Sequence, residues 1–269
     1  GAGVVGPQSP AGAATAAPPC ELLVLAKDGI WVDAPYAVDA ALLVPGGRLE
    51  LAARCNATGA YALASARSVG HFANELSEKT VVYEGVLLTL NVEGDATVMA
   101  PPTALPARPE YMGDLMAARV PVAEHFPVVF HSLGGPYAPG LPFPQHVIST
   151  GGNPAVAFSN KSAYVRNMTV GVVQEWHVGL AGDSSVSAGN HPFHVHVNPF
   201  QVVSIDGIVA RGYSVLDVRV GEWRDTIPLW LGGRVTLRFR PDRFTGRALI
   251  HCHMIPHVDL GMAAVTLLQ

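Results

Sequence analysis

The sequence predicts an all-β protein built as β-sandwiches, and three observations predict it. Glycine (28) and proline (22) together make about 19% of the 269 residues, and both break helices. Apolar runs of strand length recur about every ten residues, with turn signals between them. No amphipathic stripe suits a helix longer than about two or three turns. Hydrophobic residues make up 49% and charged residues 14%, which supplies a full core and excludes a disordered chain. The length has room for one large domain or two ordinary ones.

Residues 1–19 are rich in Ala, Gly and Pro and are expected to form a flexible linker. The run 22–26 is a strand, followed by Lys27-Asp28-Gly29, a turn of the type that favours hairpins. The run 41–44 is a strand, closed by Pro45-Gly46-Gly47. Runs 49–54 and 61–65 flank the turn-rich 56–59, and 81–90 gives one more strand. Residues 100–146 are rich in proline and form the best candidate for a connection between domains. Strands resume at 165–178, 200–205, 235–239, 247–251 and 262–268.

Lys and Arg number 17 against 21 Asp and Glu, and the net charge of −4 comes without any cationic cluster. That balance excludes nucleic acid as a partner. No apolar run of about 18 residues is present, so no helical membrane span is expected in this chain. Three cysteines occur, Cys20, Cys55 and Cys252, and an odd count leaves at least one thiol unpaired. Cys20 and Cys55 admit two readings. One is a disulfide of an oxidising compartment, and the other is two buried thiols packed as small apolar side chains. Sequons at Asn56, Asn160 and Asn167 lean towards a secreted glycoprotein. The chain begins with Gly and shows neither the charged start nor the apolar run of a signal peptide. Its start is therefore expected to be an internal point of a longer protein.

The histidines carry the chemistry. Six of the eleven fall in two short windows, His191-Pro-Phe-His194-Val-His196 and His251-Cys252-His253-Met-Ile-Pro-His257, with Met262 five residues further on. Successive side chains of a strand point to opposite faces. His251 and His253 therefore share one face and Cys252 points to the other, while His194 and His196 share a face. One segment can serve two sites back to back. A thiolate with two imidazoles and a distant thioether is the ligand set of a blue-copper electron-transfer site, and Cys252, His191, His257 and Met262 supply it. The remaining four imidazoles, His194, His196, His251 and His253, make an all-nitrogen half-site. Structural zinc also takes Cys and His, but such sites hold four ligands and are usually Cys-rich, whereas eight candidates stand here.

The pattern H-P-x-H-x-H, followed some 55 residues later by H-C-H-x-x-x-H-x-x-x-x-M, resembles the C-terminal signature of the multicopper oxidases, the family of laccases, ascorbate oxidases and ferroxidases. Gly171-Val-Val-Gln-Glu-Trp176, Trp223-Arg-Asp-Thr226 and Arg238-Phe-Arg240 resemble the strands around it. Leu25-Ala-Lys-Asp-Gly29, Pro45-Gly-Gly-Arg48 and Gly59-Ala-Tyr61 are similar to the later half of the family's middle domain. The resemblance implies cupredoxin-like Greek-key β-sandwiches, one partial (20–100) and one complete and copper-binding (118–269), with 101–117 as linker. It implies a type 1 copper held by His191, Cys252, His257 and Met262. It further implies a type 2 copper on His194 and a type 3 pair on His196, His251 and His253. The activity it implies is oxidation of a reducing substrate, phenol-like or a metal ion, by single electrons. These pass through His251-Cys252-His253 to a trinuclear cluster that reduces O2 to water.

Family members complete that cluster with two H-x-H pairs from the first domain. Here no His precedes His71 and no H-x-H pair lies outside the two windows. The chain is therefore expected to be a fragment or separate chain needing a missing N-terminal cupredoxin domain. The alternatives are a blue-copper electron carrier without oxygen chemistry, or an Fe2+ or Cu+ oxidase. Asn198-Pro199 stands where many relatives have Gly-His, so a local change of turn is expected. Val258 stands where some relatives carry a proton-relaying Glu, and Asp259 is next to it. His71, His125, His131, His146 and His177 are read as structural or solvated. Trp176, Trp223 and Trp230 are expected to pack the core. Asp225 is expected to brace a strand end beside Arg224. Nothing in the spacing singles out Asp206, Asp217, Glu222 or Asp225 as guides for a metal substrate.

Overall fold

A computed structural model describes residues 3–8, 20–65, 84–95, 99–117, 119–122, 125–133, 145–151, 153–159, 163–182, 191–207, 217–230 and 232–269. The chain divides into two compact units, Gly1–Ala107 and Arg108–Gln269. His71, Asn160 and the prolines at 136, 139, 142 and 144 lie outside the described residues.

The first unit holds seven strands: β1 (Gly3–Gln8), β2 (Cys20–Lys27), β3 (Ile30–Val38), β4 (Ala41–Leu43), β5 (Leu49–Cys55), β6 (Gly59–Ser65) and β7 (Gly85–Val92). They form one sheet in the order β4-β1-β6-β7 and another in the order β3-β2-β5. The expected hairpin after β2 is present. Asp28 (φ 56°) and Gly29 (φ 76°) both lie in the left-handed region, the signature of a tight two-residue turn. Arg48 braces it, its Nη2 donating to the Asp28 carbonyl at 2.6 Å. Cys20 and Cys55 sit directly opposite each other in the β2–β5 ladder and form a disulfide. Of the two readings open from sequence, the covalent one holds. Residues 3–8 depart from the expected linker. Their backbone is strand β1, paired with β4 and β6, because two strands flank it and supply ladder partners on both sides.

The second unit holds β8 (His125–Leu133), β9 (Gln145–Thr150), β10 (Asn153–Val156), β11 (Arg166–Met168), β12 (Gln174–Gly182), β13 (His191–Val195), β14 (Phe200–Asp206), β15 (Trp223–Arg224), β16 (Thr226–Leu229), β17 (Arg234–Phe239), β18 (Gly246–Cys252) and β19 (Ala263–Leu268). One sheet runs β10-β9-β8-β12-β17-β14-β15 and the other β11-β19-β18-β13-β16. Among the described residues, helix is limited to a 3-10 turn at Glu110–Met112 and a single α-helical turn, α1 (Ile255–Asp259). The expected strand 165–178 is two strands. Gly171 (φ 84°) turns the chain between β11 and β12, which belong to different sheets.

The core lies between these two sheets. Phe126, Phe130, Trp176, Val178, Leu237 and Phe239 face it from one sheet, and Phe193, Ile227, Ile250 and Cys252 from the other. Trp176 is fully buried, with its ring 4.9 Å from that of Phe239 and 5.3 Å from that of Phe126. Trp223 is buried and Trp230 packs partly against the core, as the sequence suggested. Leu115, inside the expected linker, is buried. Its N–H donates to Gln201 at 2.7 Å and its carbonyl accepts from Arg238 at 2.8 Å. The end of the expected linker is thus part of the second unit, tied in by hydrogen bonds as well as by burial.

Candidate metal centre

The site begins with a strand register. β13 pairs with β18 so that Phe193 faces Cys252 and His194 faces His251. Alternation along the strand then decides the rest. His191, Phe193 and Cys252 project to one face, and His194 and His251 to the other. Phe193 and Cys252 belong to the core, so their face is the buried one and the opposite face is turned away from the core.

On the buried face, Cys252 Sγ lies 3.5 Å from His191 Nδ1 and 3.6 Å from His257 Nδ1, and the two nitrogens are 3.0 Å apart. Such a triangle suits an ion bound at about 2.0–2.3 Å, the range of imidazole and thiolate bonds. α1 delivers His257. Pro256 stands in its first turn, where a missing N–H does no harm, and the N–H groups of His257 and Val258 both donate to the Met254 carbonyl. The loop then returns to the strand. Met262 N–H donates to the His257 carbonyl, and Cys252 N–H donates to the Met262 carbonyl, each at 3.0 Å. Met262 is fully buried. Gly261 permits this return. Its φ is +105°, and a Cβ there would come within 2.6 Å of the Ala157 Cβ.

Burial sets the protonation of this face. It pushes His191 down to about 3 and His257 down to about 4, with neighbouring imidazoles adding to the effect at both. Both rings are neutral at pH 7 and keep a lone pair for a ligand. Burial pushes the Cys252 thiol up to about 12. A bound cation is what draws such a proton off, since a coordinated thiol ionises outright.

On the opposite face the ligand-capable nitrogens of His194, His196 and His251 all lie within 4.8 Å of one another. His194 Nδ1–H donates to the Asp225 carbonyl at 3.0 Å, and His251 Nδ1–H donates to the Cys252 carbonyl at 2.9 Å. A carbonyl can only accept, so each ring carries its proton on Nδ1 and turns Nε2 towards the cluster. His196 Nε2 and His251 Nε2 stand 3.1 Å apart. The His253 ring is 5.2 Å from those of His194 and His251. His196 is exposed, and His194 and His253 are half-buried. Burial, opposed by the hydrogen bond to the Cys252 carbonyl, holds His251 down at about 4.

The structure thus assembles His191, Cys252 and His257 as one group, and His194, His196, His251 and His253 as another. It also supplies residues that the spacing did not mark. His146, on β9 of the facing sheet, is buried and stacks on His257 with ring centres 3.9 Å apart. Its nitrogens group with those of His191 and His257. No spacing rule reaches it, because sheet-on-sheet packing brings it there. Asp225 touches more than a strand end. Its Oδ1 accepts from Thr226 at 2.7 Å and lies 3.5 Å from His194 Nδ1. Arg224 pairs instead with Glu222, at 3.1 Å. Asp259 is exposed at the end of α1. The turn after His196 runs through Val197, whose φ is +72°, and Asn198 N–H donates to the His196 carbonyl at 2.8 Å.

The multicopper oxidase family profile matches residues 139–269, which hold both clusters. The C-terminal half of the chain belongs to the multicopper oxidase family. An iron multicopper oxidase of Mycosarcoma maydis is 31% identical over 140 residues, 48% of this chain and 20% of that protein. A laccase of Fomitopsis schrenkii is 27% identical over 141 residues, 52% of this chain and 22% of that protein. The chain thus spans about a fifth of these relatives' length. A multicopper oxidase from Campylobacter jejuni, described as a metallo-oxidase, superposes with a TM-score of 0.68 at 18% identity. That match covers 99% of this chain and 50% of that structure. The architecture is the all-β, cupredoxin-like fold of these proteins.

Proposed function

We propose that this chain is the part of a copper-dependent oxidase that takes single electrons from a small reductant and presents half of an oxygen-reducing centre. His191, Cys252, His257 and Met262 would hold a type 1 copper. His194 would hold a type 2 copper, and His196, His251 and His253 a type 3 pair. Copper bound at these two places supplies one-electron oxidation of the reductant and reduction of O2. The protein's own contribution is positional. The rings of His191 and His257, neutral at pH 7, offer lone pairs, and the 251–253 backbone links the two groups over a few covalent bonds.

The observation that supports this reading is the convergence of Cys252 Sγ with His191 Nδ1 and His257 Nδ1, back to back with the histidine group. The histidine group offers only four imidazoles. We infer that its exposed side is where an N-terminal cupredoxin domain supplies the rest. The disulfide fits an oxidising compartment, and Asn56 and Asn167 are exposed, which supports an extracellular site of action. Among the described residues, no helix is long and apolar enough to cross a membrane. The reductant is a phenol-like donor or a metal ion. Glu222 is committed to Arg224, which speaks against it as an iron guide.

The test is to add Cu2+ to the purified chain and record its visible spectrum with copper per chain. The expected result is an intense blue band that Cys252→Ser abolishes. A chain that binds copper without any such band would overturn the assignment. One specific observation, the open histidine group, also favours a plain electron carrier. Four coppers per chain with O2 consumption would exclude that reading.

A further inference from the structure

A third group of ligand-capable side chains lies on neither of these faces. β12 pairs in parallel with β8, with Glu175 beside His125 and His177 two residues on. Trp176 and Phe126 point into the core, so alternation sends Glu175, His177 and His125 to the outer face of the seven-stranded sheet. His125 Nδ1 is 2.5 Å from Glu175 Oε1, His177 Nε2 is 3.2 Å from the same oxygen, and the two nitrogens are 3.3 Å apart. We propose that His125, Glu175 and His177 form a separate binding site for a divalent transition-metal ion, with Zn2+ as its model ligand.

The geometry carries this. A tetrahedral ion with bonds of about 2.0–2.1 Å holds its ligand atoms about 3.3–3.4 Å apart. Two of the three edges already have nearly that length. The third must open by less than about 1 Å, and the ring that must move, His125, is exposed while Glu175 is buried. Glu175 is the fixed point. Arg238 Nε donates to its other oxygen, Oε2, at 2.7 Å, and Arg238 Nη1 donates to the Leu115 carbonyl. This clamp orients the carboxylate and leaves Oε1 facing the histidines, the way outer partners orient metal ligands. Burial raises the Glu175 pKa, but Arg238 and the two histidines outweigh it and hold the group ionised. Two imidazoles and one carboxylate leave a fourth position for water, as in three-ligand zinc sites. The proton shared between His125 and Glu175 leaves to solvent when the ion binds.

The test counts zinc by difference. The metal-free protein is dialysed against Zn2+, and zinc per chain is measured for wild type, His125→Ala and His177→Ala. Both changes leave the Arg238–Glu175 pair intact, and neither touches the Cys252 group. The expected result is one Zn2+ fewer per chain in each variant than in wild type. A zinc-edge anomalous map of the wild type should show a peak among the three side chains. Equal zinc in all three proteins, or no zinc bound by wild type, would overturn the proposal. Because zinc is read as a difference between variants, the result is independent of how much zinc the other histidine groups hold.

Discussion

The two faces of the β13–β18 pair carry the same kind of ligand in opposite settings. On the buried face, Nδ1 of His191 and Nδ1 of His257 converge on Cys252, with His191, Cys252 and Met262 buried and His257 half-buried. On the outer face, His194 and His251 spend Nδ1 on backbone carbonyls and offer Nε2, beside an exposed His196. The buried group takes Cys252, His257 and Met262 from one short stretch of chain, and His191 joins them through the β13–β18 register. The outer group is open on one side. A site built within one fold can be finished by local loops, whereas a site at a surface needs atoms from elsewhere.

The largest expected effect breaks the buried face without touching a ligand. Gly261→Ala puts a methyl group 2.6 Å from the Ala157 Cβ and 3.0 Å from Phe158 N, in a left-handed backbone. Overpacking and strain of this kind cost about 2 kcal/mol or more. The loop that positions His257 and Met262 must shift, so the blue band should collapse while histidine-bound copper persists. A spectrum like that of wild type would show that the loop is less constrained than its contacts imply.

Acid should act on both faces, with the next largest effect. His191 at about 3, and His251 and His257 at about 4, all lie below the ordinary 6.5. Above about pH 6.5 these rings are neutral in both folded and unfolded chains and stability is unaffected. Below it the unfolded chain takes protons that the fold refuses, so stability falls until the folded values are reached. For His191 alone, 1% exposed, the slope approaches about 1.4 kcal/mol per pH unit. Thermal melts of the metal-free chain should drop steeply from pH 6.5 to 4, and His191→Gln should flatten that drop. A melting temperature independent of pH over this range would contradict the burial argument.

A subtler change tunes the buried face. Met262→Leu removes a weak thioether while keeping an apolar side chain, and the axial ligand sets the potential of such sites. The blue colour should remain and the reduction potential should rise, as a redox titration would show. A lowered potential would remove Met262 from the ligand set. The smallest effect belongs to the outer face. Val197 is β-branched at φ +72°, which costs about 1–3 kcal/mol, and glycine there gives back about 0.5–1 kcal/mol as backbone entropy. Val197→Gly should therefore stabilise the chain by about 1 kcal/mol, read as a higher urea midpoint.

Much of the site was legible because it is local. Alternation within His251-Cys252-His253 already separated two faces, and the distance from Cys252 to His257 and Met262 is one loop long. The composition and turn spacing named an all-β sandwich, and Lys27-Asp28-Gly29 named its own hairpin. Other features were not legible because they are made by pairing between distant strands. The β13–β18 register decides that His191 and Cys252 share a face. The facing sheet brings His146 onto His257, and parallel pairing sets His125 beside Glu175. The strand character of residues 3–8 came from its neighbours, since that stretch reads as a linker on its own. Side-chain periodicity is written in the order of residues. Which strands meet, and in what register, is settled only when the sheets close over a common core.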